Sequence, residues 1–296
     1  MTQAGGVWNG LSGNLRGALI LALSALVLTG ETVLLRYMSS EVPVAVYTLA
    51  RALAQLGLGA LLVLSLGQGW RGARTQRIGL QLFRGVSSLV SWQLYYFSFR
   101  VLDFAIATTL NFTTALYVAL LAGPIMKERV GPWRWAATAL GFVGVLLVVR
   151  PGAAGSAIGL IAGLGSALCG VAIVFSNRSL GLSDRAETTM FWVGVVTTLG
   201  ALPPAIAAWR LPAAGDALLV AGGATIGAAG LWLILIAYRL GEASALAPIP
   251  YLRLVFAALA GWALFAERPD AWTIAGCATI AASAILLARA ESRKPR

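Results

Sequence analysis

Histidine is absent from all 296 residues of the chain. Its absence removes Ser-His and Cys-His catalysis, imidazole metal sites and an imidazole proton relay in one step. Charge is nearly as scarce. Charged residues make up 11% of the sequence, against about 25% in an ordinary soluble domain. So few charges cannot cover a water-soluble protein of this length, which excludes soluble enzymes, disordered tails and small disulfide-stapled folds. Cysteine occurs twice, as Cys169 and Cys277, each inside an apolar run and without metal-ligand spacing. Both read as small packing residues. No Gly-x-x-x-x-Gly-Lys-Ser/Thr loop is present, so ATP hydrolysis is not expected, and no metal or cofactor is implied. Residues 1–16 lack the basic region, apolar run and cleavage site of a signal peptide.

What is abundant is apolar sequence: 59% of residues are hydrophobic, and the mean hydropathy is +0.82. A membrane-crossing helix needs about 20 apolar residues. Runs of that kind predict helices over 17–38, 43–66, 78–99, 104–126, 133–150, 157–177, 187–209, 215–238, 243–266 and 270–289. A transmembrane β-barrel needs alternating segments of about ten residues, and these runs are longer and do not alternate. The expected fold is an all-α membrane protein with ten transmembrane helices.

The net charge of +11 does not indicate nucleic-acid binding, because the basic residues are scattered through short loops. With the N-terminus inside, fourteen Lys and Arg fall in cytoplasmic segments and five in outer ones. The positive-inside rule then places both termini in the cytoplasm of a cell with the chain in its inner membrane.

The sequence also repeats. Glu128-Arg129 and Glu267-Arg268 are 139 positions apart, and the same offset superposes Arg100 on Arg239, Trp133 on Trp272 and Arg150 on Arg289. Ser24-Ala25-Leu26 matches Ser166-Ala167-Leu168 at an offset of 142. The expected division is a cytoplasmic N-terminus 1–16, half-repeats 17–151 and 152–290, and a cytoplasmic tail 291–296. Five helices per half is odd, so the second half enters the membrane from the opposite side. Inverted repeats of this kind build secondary transporters, with the substrate near the midplane between them.

The stretch Glu128-Arg129-Val130, Trp133, Gly141-Phe142-Val143-Gly144-Val145-Leu146 and Arg150-Pro151 resembles the fourth-to-fifth helix signature of the drug/metabolite transporter superfamily, EamA type. Glu267-Arg268 and Gly276 are similar to its counterpart in the second half. The family pattern has Gly before each Glu, where this chain has Lys127 and Ala266, and the second half lacks Gly-x-x-Gly-Val. Pro248-Ile249-Pro250-Tyr251-Leu252-Arg253-Leu254-Val255 looks most like the bacterial S-adenosylmethionine-uptake branch, which has an acidic residue at the place of Arg253; an amino-acid-exporter branch is the other candidate. The resemblance implies a solute transporter with a central cavity and leaves the solute open.

Ionisable groups inside spans are costly and by default mark function. Arg253 lies about ten residues into the ninth run, roughly 15 Å along the axis, just after Pro248 and Pro250. Each proline removes a donor and breaks the helix. A guanidinium beside broken helix suits capture of a carboxylate or phosphate; the alternative is an internal pair with a buried acid. Glu31 and Arg51 lie at equal depth on consecutive helices. An ion pair is the plainer reading; a coupling proton on Glu31, an amine contact, or a gate with Arg253 and Arg51 are the others. Helix 3 presents Gln81, Arg84, Ser88, Ser91, Trp92 and Tyr95 on one face. Arg84 either lines the cavity or snorkels to the headgroups. Helix 4 adds Asn111 and Thr114, with Asn111 opposite Pro250 at the repeat offset, and Trp232 and Asn177 are further lining candidates. Gly159-xxx-Gly163 and Gly223-xxx-Gly227 permit close helix contact.

The expected substrate-binding set is Arg253, Tyr251, Gln81, Ser88, Trp92, Tyr95, Asn111, Thr114 and Trp232, with Glu31, Arg51, Pro248 and Pro250 in coupling or gating. The expected function is alternating-access transport of a small metabolite, best an amino acid or related carboxylate-bearing amphiphile. The alternative is S-adenosylmethionine or another nucleoside-like metabolite. The expected partners are that small-molecule substrate, the lipid bilayer and a coupling proton, with no nucleic acid; the chain acts as a monomer or homodimer and is not an enzyme.

Overall fold

A computed structural model describes residues 10–39, 41–65, 69–102, 110–150, 156–266 and 268–292. Among these residues all regular structure is helical. Lipid offers no partner for a backbone N–H or C=O, so apolar segments of this length close their own hydrogen bonds as helices. The first is α1 (Gly13–Tyr37), started by Ser12, whose Oγ accepts the Leu15 N–H at 3.2 Å. Then follow α2 (Val44–Val63), a 3-10 turn at Gly69–Ala73, α3 (Ile78–Val101), α4 (Thr114–Met126), α5 (Pro132–Val149), α6 (Ala157–Gly181), α7 (Ala186–Ala207) and α8 (Ala214–Leu240). The chain ends with α9 (Ala243–Leu246), a 3-10 turn at Ile249–Tyr251, α10 (Leu252–Phe265) and α11 (Ala271–Ser292).

Among the described residues eight helical segments are long and apolar enough to cross a membrane, and Leu110–Met126 is a shorter apolar helix. The α3 helix is 24 residues long but carries Gln81, Arg84 and a run of serines along it. Of the predicted helix 104–126, residues 104–109 lie outside the described residues and the rest is helical apart from a turn at Thr113. One expectation needs revision. The predicted helix 243–266 is interrupted. Pro248 and Pro250 supply no N–H, so the carbonyls four residues earlier, on Ser244 and Leu246, have no helical donor. The chain passes through a 3-10 turn there before α10 resumes.

The packing is strongly paired. The most extensive interfaces join α1 to α8, α2 to α7, α3 to α6 and α5 to α11. Where α5 meets α11, a Cβ on Gly144 would stand 2.8 Å from the Gly276 carbonyl oxygen, and one on Gly276 would stand 2.7 Å from that of Gly144. Only glycine lets the two backbones meet so closely. The interrupted ninth segment divides sharply. Every residue from Ala243 to Ile249 is buried, whereas Gly261 alone is buried between Leu252 and Phe265.

Candidate functional site

Glu31 and Arg51 form an ion pair, with Arg51 Nε 2.8 Å from Glu31 Oε1. Tyr47, one helical turn before Arg51 on α2, donates its hydroxyl to the same Oε1 at 2.6 Å. The carboxylate is buried, at 4% exposure. Burying it without partners would be prohibitive, and these two contacts compensate it. Space for the pair comes from α8. A Cβ on Gly227 would fall 2.5 Å from Glu31 Oε1 and 2.7 Å from Arg51 Nε, and one on Gly223 would meet the Tyr47 hydroxyl at 3.2 Å. The small-residue spacing on α8 therefore seats a charge cluster as well as packing helices.

Arg253 stands next to this cluster. Its Nη2 donates to Thr32 Oγ1 at 3.0 Å, and Glu31, Arg51, Tyr95 and Tyr47 lie within its electrostatic reach. Among the described residues no carboxylate lies within ion-pairing distance of it, and its side chain is exposed. Arg51 in turn stacks over Trp92, its guanidinium carbon 5.6 Å from the ring centroid. The cluster sums two arginines and one carboxylate. One positive charge is left over, carried by the exposed member.

The structure thus brings together Glu31, Arg51, Trp92, Tyr95 and Arg253, and adds Thr32 and Tyr47, which the sequence did not single out, and Gly227, which the sequence marked only for helix packing. Pro248 and Pro250 stand in the interrupted stretch just before Arg253. Other candidates go elsewhere. Tyr251 is fully buried, edge-on to Phe112 with centroids 5.7 Å apart, and belongs to the core. Gln81 donates to Asp184 Oδ2 at 2.8 Å and Thr189 Oγ1 at 3.2 Å, which ties the start of α3 to the α6–α7 connection. Ser88 accepts from Arg84 Nη1, whose Nε donates to Asn177 Oδ1 at 2.6 Å. Arg84 is 3% exposed, so it does not snorkel. Asn111 reaches Ser166 Oγ at 3.4 Å, and Thr114 donates to the Asn111 carbonyl at 2.7 Å, both in the seam between α4 and α6. Trp232 packs against the apolar cluster of α2, α7 and α8, with Nε1 buried and without a hydrogen-bond partner.

The tightly packed end of the ninth segment is held by Glu128. Its carboxylate accepts the Ala243 N–H at 2.9 Å, the Ser244 N–H at 3.0 Å and the Ser244 hydroxyl at 2.7 Å. Arg134 adds a hydrogen bond to Ser244 and an ion pair to Glu242 at 2.5 Å. Two of these contacts satisfy backbone N–H groups that a helix start leaves open, and the third takes the Ser244 hydroxyl. The Glu128 of the sequence signature is therefore a cap. At the far end of α10 and α5 a cleft of about 440 Å³ opens between Arg150, Arg268 and Asp270, with Arg150 paired to Asp270 at 2.7 Å. It is separate from the charge cluster.

Residues 15–150 match the EamA-like transporter family. The chain is 24% identical over 225 residues to an S-adenosylmethionine uptake transporter of Rickettsia prowazekii, covering 76% of each protein. It is 26% identical over 225 residues to a riboflavin transporter of Vibrio cholerae, covering 75% of this chain and 76% of the other. The family match covers 136 of the 296 residues, a little under half of the chain. These relatives are named as transporters of small metabolites, and the described residues of this chain carry eight helices long and apolar enough to cross a membrane. A solved structure superposes with a TM-score of 0.82 at 17% identity, covering 94% of this chain and 99% of that one, which fixes the fold. The resemblance bears on two backbone positions. Lys127 and Ala266, where the family pattern has glycine, both take left-handed conformations, with φ of 56° and 53°.

Proposed function

We propose that the protein is a ten-span secondary transporter of carboxylate-bearing amphiphilic metabolites, amino acids foremost, working by alternating access in the cytoplasmic membrane with both termini inside. The carrying observation is Arg253, an exposed guanidinium halfway along an interrupted span that, among the described residues, forms no ion pair of its own although Glu31 lies nearby. An arginine at bilayer depth costs about 3 kcal/mol on insertion scales. An acidic group on the substrate offsets that cost and gains a charge-assisted, two-pronged contact. The Glu31 carboxylate, with its partners Tyr47 and Arg51, faces the amine end of such a substrate, and Trp92 offers an aromatic face.

The two halves, 17–151 and 152–290, act as inverted repeats. Exchanging the halves turns the α1–α8 pairing into that of α6 with α3, and returns α2–α7 and α5–α11 to themselves; this supports the reading. So does the meeting of Phe112 with Tyr251, and the shared conformation of Lys127 and Ala266, each pair 139 positions apart.

S-adenosylmethionine is the second reading. It is favoured by the relatives of that name and by the exposed Trp92 ring, on which an adenine can stack. A competition panel on purified protein separates the readings. Amino acids competing while adenosyl compounds fail supports the first, and the reverse supports the second. Riboflavin, which has no carboxylate, competing better than either class overturns both.

A further inference from the structure

Arg84 is a buried cation without a counter-ion. It is 3% exposed, and its guanidinium bonds only to neutral oxygens, Asn177 Oδ1 at 2.6 Å and Ser88 Oγ. Among the described residues no carboxylate is within ion-pairing distance of it. A charge taken out of water needs an opposite charge, and neutral hydrogen bonds supply only part of that compensation.

A second imbalance lies one turn away. Gln81 is fully buried and uses its amide N–H groups on Asp184 and Thr189, and among the described residues its Oε1 has no donor. A cation lacking an anion and an acceptor lacking a donor together complement a carboxylate with an N–H or O–H nearby. Arg84 is also placed on a path. It shares a face of α3 with Ser88, Ser91, Trp92 and Tyr95. It lies six residues into that helix, about 9 Å from its start, whereas Trp92 lies about 21 Å along.

We propose that Arg84 is an inner anion subsite, which receives the carboxylate of the transported metabolite after Arg253 releases it. This rests on the reading that the cargo carries a carboxylate. In the present conformation α6 closes the subsite through Asn177. Opening the bundle on that side exchanges the neutral Asn177 oxygen for the charged oxygen of the cargo, so that the substrate itself stabilises the inward-open arrangement.

Asn177→Asp tests this, because it fixes a carboxylate on Arg84. A merely structural tie between α3 and α6 would be strengthened by that change; an anion subsite would be filled by it. The full-length protein in detergent is titrated with sodium propionate and followed by thermal unfolding, with sodium chloride at equal ionic strength as reference. Arg253→Ala should keep a propionate-dependent rise in Tm. Arg253→Ala/Asn177→Asp should lose it, with apparent propionate affinity down about tenfold or more. Equal propionate responses in the single and double variants would overturn the proposal, as would no response in Arg253→Ala. If the aspartate variant does not fold, Arg84→Gln in the same background must show the same loss. A response unchanged between wild type and Arg253→Ala would instead count against Arg253 and leave Arg84 standing.

Discussion

Lys127 and Ala266 stand 139 positions apart and share one left-handed backbone conformation, φ 56° and 53°. Each ends a helix, α4 or α10, and in the first case the following Glu128 N–H returns to the Ala122 carbonyl at 3.2 Å. A side chain in this conformation costs roughly 1–2 kcal/mol, which glycine avoids. Lys127→Gly and Ala266→Gly should therefore each raise stability by about 1 kcal/mol, once the greater freedom of glycine in the unfolded chain is subtracted. Thermal unfolding in detergent reads this directly, and a lowered Tm in both variants would contradict it.

Gly227 is the narrowest point of the charge cluster. Gly227→Ala would place a methyl 2.5 Å from Glu31 Oε1 and 2.7 Å from Arg51 Nε, on atoms already fixed by their ion pair. The expected loss is about 1–3 kcal/mol, typical of overpacking. Gly222→Ala is the matched control, since the nearest atom to its Cβ is Leu34 Cδ1 at 3.5 Å. That variant should be neutral, or gain up to about 1 kcal/mol from helix propensity. Equal Tm values for the two variants would remove Gly227 from the account.

Asp270 gives a pH dependence of known sign. Its carboxylate accepts the Thr273 hydroxyl at 2.7 Å and the Thr273 N–H at 2.9 Å, and it pairs with Arg150. These contacts hold its pKa below the ordinary 3.8. A group depressed on folding stabilises the protein above its unfolded pKa and loses that contribution as pH falls through the folded value. The Tm difference between wild type and Asp270→Asn should stay constant from neutral pH to about pH 5 and shrink only below the ordinary aspartate range. A difference that closes between neutrality and mild acid would contradict the assignment.

The charges of the candidate site were legible because they are rare. Glu31, Arg51 and Arg253 stand out of apolar runs, and equal depth on adjacent helices made an ion pair the plainer reading for Glu31 and Arg51, which stand 2.8 Å apart in the structure. The break at Pro248 and Pro250 was legible for a covalent reason, since a proline has no N–H to give. The contacts of Gln81 and Tyr251 were not legible, because periodicity assigns a residue to a helix face without saying which helix that face meets. Gln81 meets the α6–α7 connection, and Tyr251 meets Phe112. Tyr47 and Gly227 carry no polar pattern of their own. Their part follows from α8 lying across α1 and α2, a long-range arrangement that no local signal encodes.

The central claim is that Arg253 receives the acidic group of a transported metabolite. Its most direct test is counterflow in proteoliposomes, with L-methionine and S-adenosylmethionine as labelled substrates, comparing wild type, Arg253→Lys and Arg253→Ala. Both substrates carry an α-carboxylate, so loss of a two-pronged charged contact predicts that Arg253→Ala weakens apparent affinity for whichever is transported about tenfold or more, with Arg253→Lys in between. Unchanged flux and affinity in Arg253→Ala would contradict the account.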